Sequence, residues 1–578
     1  MDSRVTRVLV ANRGEIAVRV CRACRELEIG AVAVFEPADR GALHTEAADS
    51  AVAIESYLDG PGLVDAALAA GADAVHPGYG FLAENAEFAE LVQRAGLTWI
   101  GPPPEAMRSL GDKVEARRLA EAAGLRVVPG YAGIDLSDAT LSREAERLGA
   151  PLVVKAAAGG GGRGMRAVSD LVEMPDALAA ARREAAAAFG DDRVFVEREM
   201  PDVRHVEVQL LADAHGTVLH LGERDCSVQR RHQKVIEESP SPAVDPALRA
   251  ELGEAAVALG RAAGYVGAGT VEFLLDSEGG WYFLELNARL QVEHPVTEAV
   301  TGIDLVRAQI EIAGGTPLLT EQDEVVLRGH AIQCRIYAED PAREFLPATG
   351  RLERFDVPAW PGGRTDTGVR QGDLVGVRYD PLLAKVIAHA EDRDACLDRI
   401  SAMLGETVVL GVETNLGFLL HTIDDPVFRS GEADTGYVER HWSSALIPEL
   451  PAGVAASQPG DVWQEYGDGT PVPGVRTAGS FALYRGFGYR IGAEGAGPVA
   501  LAAPGGSLQA PMPGVVLRLA VEIGDVVEQS QPLVILEAMK MELTVAAPAA
   551  GRVRSLLVGP GELVSAGQPL IELGDADD

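Results

Sequence analysis

The segment Leu533-Val534-Ile535-Leu536-Glu537-Ala538-Met539-Lys540-Met541-Glu542-Leu543-Thr544-Val545-Ala546-Ala547 reads as two apolar runs on either side of a short break. Leu533–Glu537 and Glu542–Ala547 have the composition of strands, which makes Ala538 to Met541 the tip of a hairpin. The surrounding sequence repeats itself without a gap at an offset of 37 residues. Pro511 aligns with Pro548, Gly514 with Gly551, Val516 with Val553, Gly524 with Gly561 and Val527 with Val564. Gln531-Pro532-Leu533 aligns with Gln568-Pro569-Leu570. Each half is short, β-patterned and punctuated by glycine, too small to bury a core alone. Two halves related by pseudo-twofold symmetry are expected to make a flattened all-β barrel. Lys540 then stands exposed at the turn between them, flanked by methionines where exposed apolar groups cost solubility. That frame reads as a recognition motif for covalent modification, with the amine as acceptor.

Lys540 is one of only five lysines, with Lys113, Lys155, Lys234 and Lys385, among 51 basic residues. Wherever a fixed charge suffices the chain uses arginine, so each lysine is worth testing for work that needs a compact or deprotonable amine. The 578 residues suggest about four domains, and 47% apolar content supplies large cores. A net charge of −35 excludes phosphate-backbone binding as the main business. No run approaches the ~20 apolar residues of a membrane span. Met1-Asp2-Ser3-Arg4 leads into a four-residue apolar stretch that does not read as a signal peptide. Five cysteines in so long a chain make no disulfide framework, and Cys21 and Cys24 fall in the helical pattern Ile16–Leu27 as helix-face residues. The expectation is a cytoplasmic, multidomain protein.

Residues 1–110 alternate short apolar runs (Val8–Ala11, Ala31–Phe35, Ala51–Ile54, Ala74–His76, Trp99–Ile100) with helical stretches, the mark of an open parallel α/β sheet. The first run ends in Asn12-Arg13-Gly14-Glu15, which lacks the glycine fingerprint of a nicotinamide-binding domain. Further on, Lys155-Ala156-Ala157-Ala158-Gly159-Gly160-Gly161-Gly162-Arg163-Gly164-Met165 follows an apolar run. Consecutive glycines let backbone N–H groups approach phosphates, and the preceding lysine adds charge. In Thr270-Val271-Glu272-Phe273 and Leu284-Glu285-Leu286-Asn287, strand periodicity puts Glu285 and Asn287 on one face. With Glu272 they form a hard oxygen set suited to Mg²⁺, or else they need arginine partners such as Arg289. Arg289-Leu290-Gln291-Val292-Glu293 then combines a fork-shaped cation, an amide and a carboxylate, a plausible pocket for a small planar anion with a base beside it. From Pro451 to about Ala510 the chain is rich in Gly, Pro, Ala and Ser and reads as a linker with one strand pair around Phe481–Ile491.

Glu537-Ala538-Met539-Lys540-Met541 within its duplicated β-domain resembles the biotin carboxyl carrier domain. Lipoyl domains share the fold, but Met on both sides of the lysine favours biotin. The glycine tract resembles the mobile phosphate-covering loop of ATP-grasp enzymes, with Ala157 and Ala158 standing where Ser and Gly are common. Together with Arg204-His205-Val206-Glu207, Glu223-Arg224-Asp225-Cys226-Ser227 and Gln229-Arg230-Arg231-His232-Gln233-Lys234, the pattern from Val8 to about residue 445 resembles biotin carboxylase. The whole is similar to the α subunit of a bacterial acyl-CoA carboxylase of the acetyl-/propionyl-CoA type. The fold class expected is multidomain α/β and α+β, with an all-β biotinyl barrel. The resemblance implies a Rossmann-like N-terminal domain over 1–112 and an ATP-grasp domain over 113–330 with its lid at about 131–204. A biotin carboxylase C-terminal domain would cover 331–447, a linker with a candidate partner-docking hairpin 448–507, and a biotinyl domain 508–575.

It also implies the site. ATP would be held by Lys113, Lys155, Gly161, Gly162, Glu197, Met200, His205, His232, Glu272 and Glu285, with Glu197 and Met200 at the adenine hinge. Glu272, Glu285 and Asn287 would hold Mg²⁺ or Mn²⁺, and Lys234, Arg289, Gln291 and the Val292 backbone would bind bicarbonate. Glu293 would be the general base, Arg335 would stabilise an oxyanion on biotin, and Lys540 would carry the biotin. Lys385 gains no role beyond a structural one. A carboxyltransferase β subunit and biotin protein ligase are the implied partners, in a homo-oligomer within a larger α/β assembly. The alternatives are another acceptor, methylcrotonyl-CoA or pyruvate, or a non-catalytic biotin carrier or scaffold.

Overall fold

In the computed structural model, which describes residues 5–159, 164–231, 233–449, 475–478, 481–490, 507–538 and 541–574, the N-terminal alternation becomes a five-stranded parallel sheet. Its strands lie in the order Ser50–Ala53, Gly30–Phe35, Arg7–Val10, Ala74–His76, Thr98–Trp99. Side chains of the three inner strands are buried on both faces along nearly their whole length, so those runs are continuously apolar, whereas the edge strand Ser50–Ala53 is partly exposed. Cys21 and Cys24 are buried on helix Gly14–Glu26.

An eight-stranded sheet forms the centre. It runs Trp281–Asn287, Gly267–Leu275, Arg204–Ala212, Val218–Asp225, Ile236–Ser239, His330–Tyr337, Leu382–Ala390, Gly363–Thr367. The described pairings are antiparallel, and Ile236–Ser239 pairs with His330–Tyr337. The sheet therefore runs straight across residue 330, which opens one of its strands. One apolar cluster joins Leu9 and Val32 of the N-terminal layer to Val206, Phe273 and Leu286 of this sheet, so the two layers share a core. A separate cluster around Leu383, Leu397 and Phe418 lies beneath the strands that follow residue 330.

The segment between Gly130 and Arg198 folds over its own four-stranded sheet, with Leu152, Val154, Val168 and Leu178 in a distinct core.

The carrier half follows the sequence repeat. Gly514–Leu519, Val526–Val527 and Pro532–Ala538 recur, 37 residues on, as Gly551–Leu556, Leu563–Val564 and Pro569–Gly574. Two four-stranded sheets result, and each borrows a short strand from the other half: Leu563–Val564 joins the first half's sheet and Val526–Val527 the second's. Val516 and Val553, Val527 and Val564, Leu533 and Leu570 are buried together. Neither half closes a core without the other. The strands Pro532–Ala538 and Met541–Ala546 pair with Ala538 opposite Met541, and Lys540 lies between them, outside the described residues.

In the linker a third strand, Val475–Ala478, joins Phe481–Tyr484 and Phe487–Arg490. Leu483 packs with Val408 and Leu410, and the Phe487 ring stacks on Trp442. These two apolar side chains pack on the chain's own C-terminal domain.

Candidate functional site

Strand register places the acidic residues. Arg224, Glu207, Glu272 and Glu285 are successive cross-strand partners on four neighbouring strands. Like charges directly opposite each other repel, so three glutamates in a row need cations between them. Lys234 supplies one: its Nζ donates to Glu207 Oε2 at 2.5 Å, Glu272 Oε1 at 2.8 Å and Glu293 Oε1 at 2.9 Å. Lys113 supplies the next, 2.5 Å from Glu285 Oε2. Arg224, with no solvent exposure, closes the row on Glu207 at 2.5 Å.

Local sequence aims these groups. Asp112 caps the helix Lys113–Ala122 by accepting from Val114 and Glu115 N–H, which points Lys113 into the site from the first helical position. The Lys113 N–H donates to the Ala157 carbonyl at 2.8 Å, tying the start of the glycine tract to the same helix. Ala157 is itself buried, with its N–H given to Arg193 O. Gly159 has φ +82°, and a Cβ there would meet the Phe189 ring, so this position requires glycine. Gly161, Gly162 and His232 lie outside the described residues.

Lys155 pairs with Glu197 Oε2 at 2.6 Å, and Arg117 takes Glu197 Oε1 at 2.7 Å. The Glu197 carboxylate is thus engaged by two cations, because the strand Val194–Arg198 lies directly beside that of Lys155. Met200 follows that strand, half-buried. His205 Nε2 sits 2.9 Å from Glu272 Oε2.

The residues expected to hold a small anion also lie together. Arg289 donates to Gln291 Oε1 at 2.9 Å and Asn287 Oδ1 at 3.1 Å, and Asn287 Nδ2 reaches Glu272 Oε1 at 2.9 Å. Glu84 of the N-terminal layer grips Arg289 at 2.9 Å. Glu293, with no solvent exposure, immediately precedes the helix His294–Thr301, where the helix dipole favours a negative charge. Arg335 donates to Glu293 Oε2 at 3.0 Å and to Glu237 Oε1 at 2.5 Å.

Burial opposes ionisation of these carboxyls, and whether each stays charged depends on its cations. For Glu293 burial is outweighed by Lys234, Arg335 and Arg224, which together hold its carboxyl well below the usual range. Glu272, beside Lys234 and His205, and Glu285, beside Lys113, are lowered in the same way against burial. Burial wins at Glu237, whose carboxyl is raised despite Arg335. Lys234 and Lys113 are desolvated yet raised by the surrounding carboxylates.

Oxygen donors from Glu272 and Glu285 on adjacent strands, with Asn287 close by, fit a divalent cation, since their charge is now balanced by ammonium groups that phosphate and metal would redistribute.

Glu84, Arg117, Glu207, Arg224 and Glu237 had no assigned role in the sequence. Glu207 and Arg224 sit in the quoted motifs, and their signal was Glu207's period-two spacing from His205. Glu84 is 205 residues from Arg289 and gave none. Replacing Glu207 by Gln should cost about 3–5 kcal/mol of unfolding free energy in a denaturant titration, because Arg224 loses its buried counter-charge. A cost under about 1 kcal/mol would mean that the pair is not buried as described.

A cluster of lysines and carboxylates on the central sheet, with a two-sheet barrel in the same chain, is the architecture of an ATP-grasp ligase equipped with its own carrier. Family profiles agree: "Biotin carboxylase, N-terminal domain" matches residues 4–107, "Carbamoyl-phosphate synthase L chain, ATP binding domain" 112–321, "Biotin carboxylase C-terminal domain" 333–440 and "Biotin-requiring enzyme" 506–573. The mitochondrial methylcrotonoyl-CoA carboxylase subunit alpha of Dictyostelium discoideum is 38% identical, covering 95% of this chain and 93% of that protein. The rice counterpart is 50% identical over 76% of this chain, and the match spans 61% of the rice protein's length. The biotin carboxylase domain dimer of Hydrogenobacter thermophilus 2-oxoglutarate carboxylase, solved with MgADP, ADP and bicarbonate, superposes with a TM-score of 0.74 at 42% identity, covering 76% of this chain and 98% of that one. The chain belongs to the biotin-dependent carboxylase α subunits. Among the described residues no helix is long and apolar enough to cross a membrane.

Proposed function

We propose that the chain carboxylates biotin on its own carrier domain: ATP, bicarbonate and biotinyl-Lys540 give ADP, phosphate and carboxybiotinyl-Lys540. The observation that carries this reading is Lys234, bonded at once to Glu207, Glu272 and Glu293, because it links the metal-type carboxylates to the base beside the anion pocket. Lys113 and Lys155 receive the nucleotide phosphates, each leaving a glutamate to do so. A divalent cation at Glu272, Glu285 and Asn287 would neutralise phosphate charge. Arg289 and Gln291 orient bicarbonate with the Val292 backbone. Glu293, held ionised, accepts the bicarbonate proton as the oxygen attacks the γ-phosphorus. Its basicity rises as Lys234 turns from it to the anion. Biotin would supply the ureido nitrogen that takes the carboxyl carbon as it parts from phosphate, the nitrogen's own proton passing to the phosphate released. Arg335 directs a donor at the ureido oxygen of biotin, where negative charge gathers.

Arg335→Ala should lower biotin carboxylation by ~10²–10³-fold, the usual loss for one such donor. Carboxylation at the wild-type rate in that variant would remove Arg335 from the reaction.

Transfer to the acceptor falls to a separate carboxyltransferase β subunit. We read the acceptor as an acyl-CoA, and the likeness to methylcrotonoyl-CoA carboxylase α subunits supports methylcrotonoyl-CoA over the acetyl- and propionyl-CoA expected from the sequence. Acceptor choice would reside in the partner, so identifying the acyl-CoA that the co-purified complex carboxylates tests this part.

A further inference from the structure

Lys385 is the one lysine left without a task in that scheme. It has no solvent exposure, and on the central sheet it lies directly between Arg335 and Asp366 in register. Its Nζ donates to the Val292 carbonyl at 3.1 Å, sits 2.9 Å from Glu15 Oε2 and 3.8 Å from Asp366 Oδ2. Asp366 already has a two-pronged partner in Arg364, at 2.6 and 3.0 Å. The lysine's charge is shared between Asp366 and the nearer Glu15, a residue in the first turn of helix Gly14–Glu26 that also accepts from the Tyr79 hydroxyl. The bond to Val292 lies outside that charge pairing. The Val292 carbonyl belongs to the peptide that leads into Glu293, so holding it fixes the stem of the base and the turn that begins at Arg289. A guanidinium's planar fork would not suit one carbonyl and one carboxylate approached from different directions, whereas an ammonium's rotatable donors do.

We propose that Lys385 is a positioning residue: anchored on Glu15 of the N-terminal layer, it locks the Val292 carbonyl and with it the bicarbonate turn. This rests on the reading of Arg289–Glu293 as the bicarbonate site. The bicarbonate pocket is then braced from three parts of the fold: Glu84 grips Arg289, Lys234 and Arg335 grip Glu293, and Lys385 grips the peptide between them.

Steady-state ATP hydrolysis by the biotinylated full chain, titrated separately with bicarbonate and with ATP, tests it. Wild type must first show bicarbonate dependence; its absence would withdraw the proposed function, and this role along with it. Given that dependence, Lys385→Met should raise the bicarbonate KM about tenfold or more, the scale of a lost charged hydrogen bond, with the ATP KM within about twofold. The same shift is expected in the double variant Lys385→Met/Glu15→Gln, which removes both charges and leaves no carboxylate stranded. A purely structural ion pair predicts the opposite, restoration by the second substitution. A double variant with the wild-type bicarbonate KM, with both KM values raised alike, or with no cooperative melting transition overturns the proposal.

Discussion

Lys540→Arg is expected to leave the chain folded and wholly unbiotinylated, with no carboxylation of itself detectable. An amine can lose its proton and be acylated, and a guanidinium that stays protonated cannot. The substitution keeps the charge and falls between strands whose register is set elsewhere, by the pairing of Pro532–Ala538 with Met541–Ala546 over a core of Val516, Leu533 and Val553. Stability should therefore change by no more than about 0.5 kcal/mol. Intact-mass and peptide mass spectrometry of protein made with biotin ligase would read the result directly. The chain has only five lysines, and three of the others, Lys113, Lys155 and Lys234, are ion-paired to glutamates, with Lys385 fully buried. Biotin found on any of these in the variant would contradict the assignment.

Glu293→Gln should reduce bicarbonate-dependent ATP cleavage by ~10²–10⁴-fold, the usual contribution of a positioned general base, while ATP still binds. The amide keeps the shape of the side chain and loses the capacity to take a proton. Lys234 retains Glu207 and Glu272, and Arg335 retains Glu237, so the cluster has other counter-charges for the two cations. A second readout follows from linkage. The carboxyl of Glu293 is lowered in the folded chain, so its stabilising share is present above the unfolded value of about 4.3 and is lost as pH falls through the folded value. The variant's melting temperature should accordingly depend less steeply on pH below about 4 than wild type's. Equal slopes, with ATP cleavage undiminished, would remove Glu293 as the base.

Much of the architecture was written in local pattern. Residues 31–35 and 74–76 are strands where the apolar runs put them, and the 37-residue repeat yields matching strands at Gly514 and Gly551 because each position has one symmetric environment. The site was legible as residue types: Glu272, Glu285, Arg289 and Glu293 do converge. Their partners were not. Glu84 meets Arg289, Glu207 meets Lys234, and Lys385 meets Val292 through contacts set by sheet register and layer packing, which no local spacing encodes. For the same reason the engagement of Glu197 by Lys155 and Arg117 was invisible, and the linker's third strand was hidden in a Gly/Pro-rich stretch.

The most direct test of the central claim is transfer of ¹⁴C from bicarbonate to the purified, biotinylated chain in the absence of any β subunit. With ATP and Mg²⁺ the account predicts acid-labile label on the carrier peptide containing Lys540, about one per chain, matched by ADP formation. Biotinylated protein that binds ATP yet acquires no label under these conditions would contradict it.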